Sequence, residues 1–412
     1  MVTTVGSEPD ELRPEPQMPG NGGTRMHNGA VSFTMLAVVV AIGLAGPLLA
    51  LPRGWRIPVV LGELIAGVVL GRTGFGYLAA ADDRFTFLAD IGFGLVMFVA
   101  GTHVPVRDES LRRAIRPGLL RAVITGVVAT GLAFGLNAVF GTGHIALYAV
   151  LMASSSAALI LPIVDSLGLG GRPVVELLPQ VAIADAACIV ALPLAIDPPH
   201  AGRAALGALA VIGAGALVFF VLNKAERSGV RRRVHDVSEE RRFAVELRIS
   251  LMVLFALAGL ATATHVSIML AGFVFGLAVA AIGEPRRLAR QLFAVTEGFL
   301  GPVFFVWLGA SLDLRELGTR PAFIGLGVLL GVGAVISHLS GALTRQPISI
   351  GALAAAQLGV PVAAATVGTS LHVLQPGESS ALILGALVTI ALSTAAAGIA
   401  VRRGLVAEHA AR

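Results

Sequence analysis

The sequence predicts an all-α polytopic membrane protein with about 13 transmembrane helices. Three observations lead there. Hydrophobic residues make up 56% of the 412-residue chain and charged residues only 13%, where a soluble domain carries about 25% charged residues. The apolar residues are gathered into blocks that match the ~20 helical residues needed to cross the ~30 Å hydrocarbon core. The basic residues between those blocks fall mostly on alternate loops, as membrane topology requires.

Residues 1–30 are polar, rich in proline, glycine and acidic residues, and hold no basic segment followed by an apolar stretch. They read as a disordered extracytoplasmic tail and not as a cleaved signal peptide. The membrane domain, 31–401, divides into apolar spans near 31–51, 55–71, 85–102, 119–140, 145–167, 177–196, 203–223, 243–264, 266–283, 292–312, 321–343, 348–371 and 379–401. Residues 402–412 form a short cytoplasmic tail.

With thirteen spans, seven of the 30 basic residues lie on one side: Arg13, Arg25, Arg72, Arg84, Arg203, Arg315 and Arg320. The rest lie on the other, including Arg107 to Arg121 after span 3 and Arg231–Arg233 after span 7. Because Lys and Arg accumulate in cytoplasmic loops, the N-terminus is expected outside and the C-terminus inside. The same distribution sets aside nucleic acid as a partner for the net charge of +5; the partner is the lipid bilayer. The single cysteine, Cys188, lies in an apolar block and supports neither a disulfide nor a metal site.

Two spans carry helix-breaking residues at mid-depth. Span 5 holds SSSAALILP, with Ser154, Ser155, Ser156 and then Pro162; span 12 holds AQLGVPVAAATVG, with Gly359 and Pro361. Spans 5 and 12 are seven apart, and an odd offset turns the second copy upside down. Spans 3 and 10 share that offset and a Phe-rich run ending in glycine (DIGFGLVMFVAG and GFLGPVFFVWLGASLDL). Inverted repeats with interrupted helices are a transporter architecture, and the interrupted ends can replace an ion's hydration shell.

Ionisable groups inside spans are functional candidates. Asp185, in VAIADAACIV near the middle of span 6, has no charged residue near it in sequence. It is the first candidate for binding a cation or a proton, the alternative being a structural carboxylate. Glu297 in span 10 is the second, against a headgroup-level residue that reaches water. Glu63 and Asp90 read as structural, and His338 as a packed or lining histidine and not as a proton relay. A carboxyl group held among apolar helices without a counter-charge is neutralised by a proton or by a cation. Competition between the two for one carboxylate would give electroneutral exchange.

These segments, with GELIAGVVLG (62–71) and AGFVFGLAVA (271–280), resemble the bacterial monovalent cation:proton antiporters, the branch of sodium/proton exchangers and Kef-type potassium efflux proteins. The resemblance covers about residues 31–401. It implies the inverted-repeat sodium/proton-antiporter fold with broken helices 5 and 12, a core domain moving against a dimerisation domain, and a homodimer. Asp185 then matches the ion-binding acid of span 6, and Ser154 to Ser156 match the hydroxyl-rich break of span 5. Two positions depart from the pattern. Ala184 stands where the family usually has Asp, Asn or Gln, and no Lys or Arg lies between Gln291 and Leu314.

The resulting expectation is a secondary antiporter of the cell membrane exchanging Na⁺ or K⁺ for H⁺. A passive cation channel and a non-transporting ion or pH sensor are the alternatives. No enzyme is expected, because HExxH, GxSxG and a cysteine nucleophile are all missing. No cofactor is expected either, because no GxGxxG follows a strand. The only metal is the transported monovalent cation.

Overall fold

The computed structural model describes residues 33–51, 59–102, 109–229, 245–264, 266–283, 286–312 and 314–406. The N-terminal tail, Arg231–Arg233 and the last six residues lie outside the described residues. Within them, nine helices are long and apolar enough to cross a membrane, and Phe33–Leu49, Val59–Leu70 and Ile268–Ile282 are shorter apolar helices. The two-part element over 145–166 completes thirteen.

In chain order these are α1 (Phe33–Gly43, continued by Ala45–Ala50), α2 (Val59–Leu70), α3 (Asp83–Thr102), α4 (Glu109–Phe140) and the halves α5a (Ile145–Ala153) and α5b (Ala157–Ser166). Then follow α6 (Arg172–Ile196), α7 (Ala201–Arg227), α8 (Val245–Ala263) and α9 (Ile268–Ile282). The tenth span is α10a (Arg286–Val295), a π-helical turn (Thr296–Leu300) and α10b (Gly301–Ser311). The last are α11 (Pro321–Leu339), the halves α12a (Ile348–Ala354) and α12b (Gly359–Ser370), and α13 (Glu378–Arg402). Side chains such as Val127, 68% exposed, and Phe220, 64% exposed, point outward from apolar helices, as a lipid solvent allows.

The helices pack as two bundles. One, the panel, is α1, α2, α3, α9 and α10, with α7 and α8 against α9. The other, the core, is α4, α5, α6, α11, α12 and α13. The seven-span offset puts α3 and α10 together in the panel and both interrupted helices in the core.

Small residues explain the panel. A Cβ on Gly272 or Gly276 of α9 would strike the carbonyl oxygens of Gly94 and Phe98 on α3, and one on Gly309 of α10b would strike that of Leu64 on α2. Apolar side chains gain little by leaving lipid, so close backbone approach and van der Waals contact hold such helices together. Phe93 and Phe304 stack across α3 and α10b with ring centroids 4.8 Å apart.

In the core, polar contacts add to the packing. His144, the residue ahead of α5a, places Nδ1 2.6 Å from Glu378 Oε1, the first residue of α13. The Tyr148 hydroxyl donates to the same oxygen at 2.7 Å, and the Gln375 amide to Glu378 Oε2 at 2.8 Å. The bond to Glu378 raises the His144 pKa above its ordinary 6.5, although burial opposes the shift.

Two outcomes follow from this packing. Gly272→Val forces a branched side chain onto the α3 backbone and should cost at least 1–3 kcal/mol, about the cost of an overpacked core; thermal unfolding in detergent measures it. A histidine with a raised folded pKa stabilises fully below its unfolded value, and that contribution fades as pH rises through the folded value. The Tm gap between wild type and His144→Gln should therefore be widest near about pH 6 and narrow at alkaline pH; a gap that grows with pH would contradict the assignment.

Candidate functional site

Where a helix stops inside the membrane, its last carbonyls and first N–H groups lose their partners in an apolar surrounding. α5 stops at Ala153 and restarts at Ala157; α12 stops at Ala354 and restarts at Gly359. The residues between are extended or irregular and buried. Serines favour such positions because their hydroxyls bond to nearby backbone. Pro361 falls in the first turn of α12b, where a missing N–H costs nothing. Pro162 falls within α5b, so the serines, and not that proline, occupy the interruption.

The two interruptions cross and satisfy each other. The Ser156 amide donates to the Ala356 carbonyl at 2.8 Å, and the Ser155 hydroxyl to the Ala354 carbonyl at 2.7 Å. The Ser154 hydroxyl reaches both the Leu151 carbonyl and Gln357 Oε1. From α11, His338 places Nε2 3.1 Å from the Ser154 carbonyl. A carbonyl only accepts, so Nε2 carries the proton. From α13, Ser393 donates to the Ala352 carbonyl at 2.8 Å.

Asp185 completes the crossing. It lies midway along α6, 6% exposed, and its Oδ2 accepts the amide of Ala157, the first residue of α5b, at 3.1 Å. The carboxylate thus sits at the N-terminal end of a half-helix, where the helix dipole favours negative charge. Among the described residues no arginine, lysine or histidine comes within ion-pairing distance of it. Serines 154 to 156, which directly precede Ala157, are buried as well. A hydroxyl that donates its proton to a carbonyl keeps lone pairs to offer a cation, so the carboxylate and the serine hydroxyls at the breaks are of the ligand type that a hard cation takes.

The other candidates lie elsewhere. Glu297 is exposed on the π-helical turn of α10, in the panel. Glu63 is buried on α2 and Asp90 is half-buried on α3, both also in the panel. Sequence reasoning missed Gln357, whose partner Ser154 is 203 residues away, and gave His338 no part in the crossing. It also counted Arg121 as a loop residue. Arg121 lies inside α4, 4% exposed, with Nη2 2.7 Å from Glu176 of α6. An acid on the neighbouring helix was the signal that would have found it: Glu176 lies only nine residues before Asp185 on a helix otherwise free of acids.

The family model for the transmembrane domain of sodium/hydrogen exchangers matches residues 32–403. The putative Na⁺/H⁺ antiporter YjbQ of Bacillus subtilis is 23% identical over 378 residues, 87% of this chain and 61% of that protein. The Na⁺/H⁺ antiporter NhaS5 of Synechocystis is 28% identical over 391 residues, 90% of this chain and 54% of its own length. The chain therefore spans less than two thirds of either relative. In fold it is similar to the sodium proton antiporter MjNhaP1 of Methanocaldococcus jannaschii at pH 8, with a TM-score of 0.65, 17% identity, and coverage of 90% of this chain and 98% of the other.

Proposed function

The chain belongs to the sodium/hydrogen exchanger family, and we propose that it exchanges a monovalent cation, Na⁺ or K⁺, for H⁺ across the cell membrane through Asp185. The place of Asp185 carries this reading: a buried carboxylate without a basic partner, at the meeting of two broken helices. In that position it is neutralised by one proton or by one cation, and the two exclude each other. The hydroxyls of Ser154, Ser155 and Ser156 supply further oxygen ligands, which suit hard monovalent cations.

Stoichiometry follows from charge. Ala184 leaves α6 with one acid at this depth, and no Lys or Arg between Gln291 and Leu314 adds a charge from α10. One proton then replaces one cation and the exchange is electroneutral. The arginine bias supports an N-terminus outside the cell and a C-terminus in the cytoplasm, and the resemblance of the two-bundle fold to the antiporters supports a homodimer.

Purified protein in liposomes with an internal pH-sensitive dye tests the proposal. A preset proton gradient should collapse on addition of Na⁺ or K⁺ with the wild type and not with Asp185→Asn, while Glu297→Gln retains exchange. Exchange that survives Asp185→Asn and is lost in Glu297→Gln would move the site to α10. No response to any cation in the wild type would favour a non-transporting sensor.

A further inference from the structure

Eight buried side-chain nitrogen or oxygen atoms have no hydrogen-bond partner among the described residues, and six of them belong to one region of the core. They are Arg121 Nη1 and Thr125 Oγ1 on α4, Gln180 Nε2 on α6, His338 Nδ1 on α11, and Gln346 Oε1 and Ser349 Oγ at the start of α12a. Each of the six residues is at most 4% exposed. Hydrogen bonds and short sequence separations bring the set together. Gln346 Nε2 donates to Gln180 Oε1 at 2.7 Å. Arg121 Nε donates to Thr344 Oγ1 at 2.8 Å, two residues before Gln346. A Cβ on Gly351 would lie 3.7 Å from Gln346 Oε1 and 3.1 Å from the His338 carbonyl oxygen, so Gly351 lies beside both the amide pair and the backbone of His338.

The chemistry of the set selects its ligand. Arg121 Nη1 and Gln180 Nε2 can only donate. Gln346 Oε1 can only accept, as can His338 Nδ1, because the Ser154 carbonyl fixes the proton on Nε2. The two hydroxyls do either. A cation would face two donors, and an anion would leave two acceptors unserved. Glu176 pairs with the buried Arg121 through Oε2 and with the exposed Arg172 through Oε1, so the buried guanidinium has its counter-ion and the excess charge, on Arg172, faces outward. Water, which donates and accepts, serves all six, and buried polar groups in this arrangement are the usual hosts of ordered water.

We propose that these six atoms line a buried, water-filled tract inside the core bundle. It starts beside the Arg121–Glu176 pair and ends at His338, behind the crossing of the broken helices. The tract lies between α4, α6, α11 and α12a, whereas the panel meets the core through other contacts, α3 with α5b and α7 and α9 with α6. It is therefore a second route for solvent to the crossing, apart from the seam between the two bundles. The proposal does not depend on Asp185 carrying the ion.

Radiolytic labelling read by mass spectrometry tests it, because hydroxyl radicals made from a bound water oxidise the side chains that touch it. In the wild type His338 should be oxidised several-fold faster than Phe273, an equally buried side chain of the panel. Gln346→Leu should lower His338 labelling by about threefold or more as the tract loses a water partner, and Ser349→Ala serves as the milder second variant should the first not fold. Asp185→Asn should leave the labelling unchanged, which separates this proposal from the assignment of the ion site. His338 labelled no faster than Phe273 in the wild type, or labelling indifferent to both tract variants, would overturn it.

Discussion

Everything at the centre of this molecule depends on one constraint: backbone groups freed by breaking two helices inside an apolar slab must find partners within the protein. Each interruption solves the problem of the other. Backbone bonds run from Ser156 to Ala356, side-chain bonds from Ser155 to Ala354 and from Ser154 to Gln357, and Asp185 takes the first amide of α5b. Neither break could stand alone, since each would leave orphaned groups whose burial costs ~1–3 kcal/mol apiece. The crossing is therefore a cooperative unit. The oxygen atoms gathered at the crossing, on which the proposed cation site rests, are a by-product of keeping two broken helices folded.

The two bundles divide the labour accordingly. The panel is held largely by close apolar packing, with glycines of α9 against the α3 backbone and stacked phenylalanines between α3 and α10, and by a few hydrogen bonds at its edge, such as Trp307 Nε1 to the Ala80 carbonyl. Such an interface is specific in shape. The core carries the ion pair of Arg121 with Glu176, the amide pair of Gln180 with Gln346, and the capped carboxylate of Glu378. Polar bonds of this kind fix helices in register around the crossing, so that α4, α6, α11 and α13 hold the half-helices from all sides.

Much of this was legible in the sequence. Thirteen spans followed from apolar block length and from the alternation of basic loops, because both are set by the bilayer and not by tertiary detail. The breaks showed as a serine run and a Gly-x-Pro at mid-depth, and Asp185 stood out because an acid in an apolar helix is expensive. What stayed hidden were pairings. Gln357 is one amide in an apolar stretch, and only the fold brings it to Ser154. Arg121 looked like one more member of a basic loop, because a helix extending to Glu109 cannot be read from hydropathy when its first turns carry Arg112, Arg113 and Arg116. Pro162 suggested a break that the serines occupy instead, since hydroxyls can bond the freed backbone and a proline cannot. The panel glycines were visible as motifs, but their reason, backbone contact across α3 and α9, exists only in the folded chain.

The central claim is that a proton and a cation compete for the one carboxylate at the crossing. Proton release on cation binding measures this directly: purified protein in weakly buffered detergent, near neutral pH, is mixed with Na⁺ or K⁺ and the change in pH is recorded. The account requires about one proton released per cation bound, and no release from Asp185→Asn. Cation binding without proton release, or release undiminished in the variant, would contradict it.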